Sequence, residues 1–156
     1  MSYKNELYQQ VILDHNKNPR NFRKIEQPTH FCPGHNPLCG DNLILYMDIS
    51  QDGIIKDVSF EGSGCAISKS SASMVTEYFK GKSAKEVKDR FKEFQGLVTG
   101  NLDPVTEGHK LGKLALFEGV KQYSARVKCA TLPWRAIMGA LENKKTVSTE
   151  KPSSPE

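Results

Sequence analysis

Residues 43–81 read LILYMDISQDGIIKDVSFEGSGCAISKSSASMVTEYFKG, and a change of period inside that stretch decides the fold. Leu43, Leu45, Met47 and Ile49 alternate with their neighbours, Asp52-Gly53 supplies a turn, and Ile54, Val58 and Phe60 alternate again. Period two on both sides of an Asp-Gly break predicts a β-hairpin with one buried face. Gly62-Ser63-Gly64-Cys65 then ends the strand. From Ser68 the apolar positions Met74, Val75, Tyr78 and Phe79 fall near one face of a helix that closes at Gly81.

Toward the N-terminus, Leu7, Tyr8, Val11, Ile12 and His15 recur at helical spacing and Asn18-Pro19 stops them, which predicts a helix over residues 5–17. Residues 18–41 carry Pro19, Pro28, Pro33, Gly34, Pro37 and Gly40, too many breakers for a regular element. Toward the C-terminus, Ser83 and Glu86 have capping-box spacing, and Val87, Phe91 and Phe94 give the helix behind them an apolar face up to Gly96. A looser connection over residues 97–110 leads to a short helix on Leu111, Leu114, Ala115 and Val120. The last helix carries Trp134, Ile137, Met138 and Leu141, with Pro133 expected in its first turn, where a missing N–H costs nothing. After Asn143 almost nothing remains to bury, so residues 144–156 are expected to be a disordered tail. The expectation is one α+β domain over residues 1–143, a small antiparallel sheet packed against helices.

The chain has 156 residues, enough to bury roughly two-thirds of its unfolded surface without help from disulfides. No stretch approaches the roughly 20 apolar residues of a membrane span, and the start, Met1-Ser-Tyr-Lys-Asn-Glu6, lacks the apolar centre of a signal peptide. A cytoplasmic protein is expected, with no membrane partner. In a reducing compartment its four cysteines are thiols available for metal or chemistry. The net charge of +4 is spread: Lys80, Lys82, Lys85, Lys88 and Lys92 are interleaved with Glu86, Asp89 and Glu93. That pattern describes a solvated helix face, and a nucleic-acid partner is not expected.

Three cysteines share a local setting. Cys39 stands in Asn36-Pro-Leu-Cys-Gly-Asp41 before a strand, Cys65 in Gly62-Ser-Gly-Cys-Ala-Ile-Ser68 before a helix, and Cys129 in Arg126-Val-Lys-Cys-Ala-Thr-Leu-Pro-Trp134, read as lying before another. A helix start offers free N–H groups and a positive dipole end, which favour thiolate over thiol. Asp41 is two residues from Cys39, and Gly40 lets the backbone turn so that both could face one point. Three thiolates and a carboxylate suit tetrahedral zinc, and they also suit the edge of an iron–sulfur cluster. Cys32, near His30 and His35, has no place in that pattern and reads as an incidental loop cysteine, the alternative being an auxiliary thiol or ligand.

The three cysteine segments, in this order, resemble the motifs of the IscU/NifU N-terminal family of iron–sulfur cluster assembly proteins, and of its SufU branch in particular. The resemblance runs from the first helix, with Asp14-His15 and Lys17-Asn-Pro-Arg20, to about residue 142. It implies that Cys39, Asp41, Cys65 and Cys129 hold zinc and that Cys39 accepts a persulfide sulfur. The donor would be a SufS-like cysteine desulfurase, whose own pyridoxal phosphate makes that sulfur, and the product would pass to a downstream iron–sulfur assembly complex. On this reading the chain is a sulfurtransferase-like partner rather than a stand-alone enzyme. The alternative is a scaffold on which the same residues build an iron–sulfur cluster. Scaffold members carry His before the third cysteine, whereas this chain has Lys128, and residues 83–110 resemble the insertion that marks SufU proteins. Arg126 matches a SufU-like arginine, which implies a charge that stabilises a thiolate or persulfide on Cys39.

Overall fold

The computed structural model describes residues 3–150, with side chains from Glu6 onward. The expected hairpin is its centre. Strands β2 (Asp41–Ile49) and β3 (Ile55–Ser63) pair antiparallel, with Leu45 opposite Phe60 and Met47 opposite Val58. All four side chains are buried. Gly53, at φ 83°, takes the left-handed turn position that a residue with a Cβ adopts only under strain.

A strand runs through the segment expected to be irregular. Its β1 (His30–Asn36) pairs antiparallel with β2, placing Cys32 opposite Leu45. Pro33 and Gly34 hide it from pattern reading, but Pro33 lies in a strand whose outer side is almost unpaired, where its missing N–H is tolerated. Among the described residues that outer side is met only by β4 (Val147–Ser148), which pairs in parallel with Gly34 and His35. The strand order is β3-β2-β1-β4, so the sheet is mixed rather than wholly antiparallel.

The expected tail boundary at residue 143 is corrected by the same strand. Val147, the one apolar residue after Asn143, fits a slot kept open by two glycines. A Cβ on Gly34 would stand 3.2 Å from its Cγ2, and one on Gly139 only 2.6 Å from its Cγ1. A single side chain packed against two backbones is invisible to composition, which sees only the polar run around it. Residues 151–156 of the expected tail lie outside the described residues.

Helices cover one face. After α1 (Tyr3–Lys17), α2 (Ala66–Phe79) packs on α1 and on α4 (Ser124–Leu141), and α4 lies across β1 and β2. Between them come α3 (Glu86–Thr99) and a 3-10 helix (Gly112–Val120). Trp134 of α4, wholly buried, holds this layer through Phe79, Phe91 and Phe94, with ring centroids 5.4, 5.7 and 4.9 Å away. Two helix boundaries differ from the pattern. The α4 helix starts at Ser124, so Pro133 is interior and cannot donate to the Cys129 carbonyl one turn behind it. The α3 helix passes Gly96 and closes at Gly100, whose φ of 86° lets its N–H return to the carbonyls of Gly96 and Leu97. Ser83 forms no capping box: its Oγ accepts the N–H of Lys85 rather than that of Glu86. Lys80, Lys85, Lys88 and Lys92 are exposed. No helix among the described residues is long and apolar enough to cross a membrane.

His15 joins α1 to α2. It is buried, and its Nδ1 lies 2.7 Å from Ser73 Oγ, which also accepts the Arg20 N–H at 2.8 Å. Burial first, and the Arg20 charge second, hold its pKa below the usual 6.5. The unfolded chain therefore takes up this proton before the folded one does. Stability from a neutral His15 is complete above pH 6.5 and is lost as pH falls toward the lower, folded value. The urea midpoint of the wild type should fall more steeply between pH 7 and 5 than that of His15→Gln. Parallel curves would remove His15 as the source.

Candidate metal centre

The site begins in the turn between β1 and β2. Leu38 N–H bonds Asn36 Oδ1 at 3.2 Å and Cys39 N–H bonds the Asn36 carbonyl at 3.3 Å, so the turn is folded on Asn36. Gly40 follows at φ 70°, and this left-handed step reverses the chain into β2. Cys39 is left exposed on the turn while Asp41, the first residue of β2, points inward and is 1% exposed.

Cys65 arrives from the end of β3 and is the N-cap of α2. Its Sγ accepts the Ser68 N–H at 3.4 Å, and its own N–H is taken by Asp41 Oδ1 at 2.7 Å. Gly64 makes that approach possible, because a Cβ there would stand 2.7 Å from Asp41 Oδ1 and 2.6 Å from Ser68 Oγ. Cys129 is brought by α4 and is wholly buried. It lies inside the helix, not in front of it as the sequence reading had it. The helix-start argument for thiolate therefore applies to Cys65 and not to Cys129. The misreading came from Pro133, whose usual first-turn position set the expected start too late.

The structure brings Cys39, Asp41 and Cys129 together and sets Cys65 beside Asp41. Cys39 Sγ is 3.3 Å from Cys129 Sγ, and Cys65 Sγ is 4.0 Å from Asp41 Oδ2. Ligand atoms of Cys39, Asp41 and Cys129 all lie within 4.8 Å of one another. Around a tetrahedral zinc with Zn–S near 2.3 Å, sulfurs stand about 3.8 Å apart, somewhat farther than the 3.3 Å between Cys39 and Cys129. At 3.3 Å the Cys39 and Cys129 sulfurs are far outside the roughly 2.0 Å of a disulfide, and all four cysteines are free.

Charge points the same way. Asp41 accepts from Cys65 N–H and from Asn36 Nδ2 at 3.1 Å, but among the described residues it has no cationic partner. A buried carboxylate without one is costly. The Cys65 thiol is drawn down to about 6, first by its hydrogen bond with Cys129 and then, against burial, by the amide and hydroxyl of Ser68. Cys129 is pushed up by the same hydrogen bond and by burial. Of that pair, Cys65 is the one favoured as thiolate and Cys129 the one favoured as thiol, and a divalent cation would displace thiol protons while pairing the carboxylate. The donor set of three sulfurs and one oxygen fits zinc.

Arg126 stands one turn before Cys129 on α4, and its side chain is exposed. Tyr8 is pushed up to about 12 chiefly by burial, with the Arg126 charge acting against that rise. Lys128 is turned to Glu150, 2.6 Å away. Cys32 is corrected from loop to core. It is wholly buried in β1, and its thiol is pushed up by burial. Sequence reasoning gave no role to Asn36, Ser68 or Thr149. Asn36 and Ser68 sit inside quoted motifs, whereas nothing in the sequence marks Thr149.

The NifU-like N terminal domain family matches residues 7–130. The chain belongs to that family. As a NifU-like N-terminal domain it is similar to the zinc-dependent sulfurtransferase SufU of Bacillus subtilis, 40% identical over 131 residues that cover 84% of this chain and 86% of the relative. It is also similar to the iron–sulfur cluster assembly scaffold protein IscU of Thermotoga maritima, 38% identical over 87% of this chain and 93% of that one. Among solved structures, a SUF-system iron–sulfur cluster assembly scaffold protein from Fervidobacterium islandicum shares the NifU-like fold with a TM-score of 0.78. It is 35% identical, over 87% of this chain and 97% of that one.

Proposed function

We propose that this chain is a zinc-dependent sulfur-transfer protein of iron–sulfur cluster assembly, with Cys39 as the persulfide acceptor. The observation that carries the proposal is the inequality of the four ligands. Cys129 and Asp41 are buried and Cys65 is half-buried, whereas Cys39 alone is exposed, on a glycine turn. Three residues can hold a metal while the fourth leaves. The similarity to a zinc-dependent sulfurtransferase supports the same reading.

Zinc, when bound, would keep Cys39 as a protected thiolate. A cysteine desulfurase of the SufS type docks over the exposed turn, and Cys39 swings out about Gly40. Its Sγ attacks the outer sulfur of the partner's persulfide, that S–S bond breaks, and the partner's cysteine leaves as thiolate. Cys39 then carries the transferred sulfur toward a downstream iron–sulfur assembly complex in the cytoplasm. Arg126, exposed one turn from Cys129, stabilises the anionic persulfide. Cys65, Cys129 and Asp41 stay in place.

The scaffold reading uses the same residues and differs in product. The absence of an imidazole from the ligand group, with Lys128 held by Glu150, favours transfer over cluster building. The purified protein should be colourless, contain about one zinc per chain, and raise the turnover of a SufS-type desulfurase several-fold. A brown protein with acid-labile sulfide and no effect on the desulfurase would favour the scaffold.

A further inference from the structure

The segment around β4 reaches the metal centre. Thr146 Oγ1 donates to the Pro33 carbonyl at 3.2 Å, Val147 fills its glycine slot, and Thr149 N–H donates to the His35 carbonyl at 3.2 Å. Beyond Thr149, Glu150 closes on Lys128, the neighbour of Cys129, at 2.6 Å. Thr149 is therefore pinned on both sides. Its hydroxyl donates to Asn36 Oδ1 at 2.9 Å.

Asn36 is wholly buried, and its amide has four contacts to divide. Oδ1 accepts from Thr149 and from Leu38 N–H, while Nδ2 donates to Asp41 Oδ2 at 3.1 Å and to Cys129 Sγ at 3.5 Å. A flipped amide would set its NH2 against the Leu38 N–H and its oxygen against a carboxylate and a sulfur, so the two donors on Oδ1 fix which end faces the ligands. Nδ2 is then the group that sets the spacing of Asp41 and Cys129 and offsets part of their negative charge. Hydrogen bonds behind metal ligands orient them and tune affinity.

We propose that Asn36 is a positioning residue of the metal centre and that Thr149, delivered by the C-terminal strand, sets its amide. The C-terminal segment thereby governs how tightly Asp41 and Cys129 hold the metal, although neither it nor Asn36 supplies a ligand. This rests on the reading of the four residues as a zinc site.

The test uses the full-length zinc-loaded protein and follows zinc release to an excess of a chromogenic chelator. It is paired with the visible absorption spectrum of the cobalt(II)-substituted protein, which reports ligand geometry. Thr149→Val keeps the shape of the strand and removes one hydrogen bond, so release should quicken by about fivefold, with displaced cobalt bands. Thr149→Ser restores the hydroxyl and should return both readouts to wild type. Asn36→Ala should quicken release by about 10- to 100-fold, but it opens a buried cavity, so the decision rests on the Thr149 pair. Release and cobalt bands unchanged in Thr149→Val, even with a lower melting temperature, would make the segment only a structural cover and overturn the proposal. A Thr149→Ser variant that behaves like Thr149→Val would overturn it too. Wild-type protein that takes up neither zinc nor cobalt would instead remove the metal site itself.

Discussion

Cys39→Ser should abolish sulfur acceptance and leave the fold intact. Serine cannot form a persulfide, and the other candidates are poorly placed to substitute: Cys129 and Cys32 are buried, and Cys65 is engaged by Ser68 and beside Asp41. Because Cys39 is exposed on a turn, its replacement should move stability by no more than about 0.5 kcal/mol beyond the loss of one metal ligand. After incubation with a cysteine desulfurase and cysteine, mass spectrometry should find a persulfide, at +32 Da, on the wild type at Cys39 and none on the variant. Persulfide formed on another cysteine of Cys39→Ser at the wild-type rate would end the assignment.

Zinc removal gives the other large effect, on stability. The four proposed ligands would tie the β1–β2 turn, the start of α2 and the interior of α4 together, with Cys39, Asp41 and Cys129 within 4.8 Å of one another and Cys65 beside Asp41. A metal that binds only the folded chain stabilises it by about 4 kcal/mol when its free concentration is 1,000 times its Kd. For a chain of this size each kcal/mol is worth about 2–4 °C, so chelation should lower the melting temperature by about 8–16 °C. Cys129→Ser should lose the metal and fall at least as far, since it also leaves a hydroxyl in a wholly buried position. The large buried cluster around Trp134 and the hairpin should keep the metal-free chain folded at room temperature. Melting curves that coincide before and after verified chelation would rule out a four-ligand site that spans these elements.

Pattern reading reached the hairpin and α2 because both present a simple period to one core. It missed β1, since Pro33 and Gly34 are signals of irregularity unless one knows that the strand has a nearly open side, and that is a property of the sheet rather than of the segment. It also missed β4, where the deciding contact is Val147 against Gly34 and Gly139. At the site, Cys39, Asp41, Cys65 and Cys129 stood out because each motif pairs a ligand type with a glycine or a charged neighbour. Asn36 was visible in its motif, but its role depends on Thr149, 113 positions away, and no local rule connects them.

The ligands enter the chain in a fixed order, and that order constrains how the site is born. Cys39, Asp41 and Cys65 belong to the β1–β2 turn and the start of α2, whereas Cys129 comes 90 positions after Cys39 and Thr149 later still. During synthesis, at about 5–20 residues per second, β1 to β3 and α2 are made with three of the proposed ligands and one vacant corner. The corner closes only when α4 docks, and the amide behind it is set only when the last strand leaves the ribosome. A chain cut short before α4 would thus carry thiols in an incomplete cage, and the finished cage needs a chain made through Thr149.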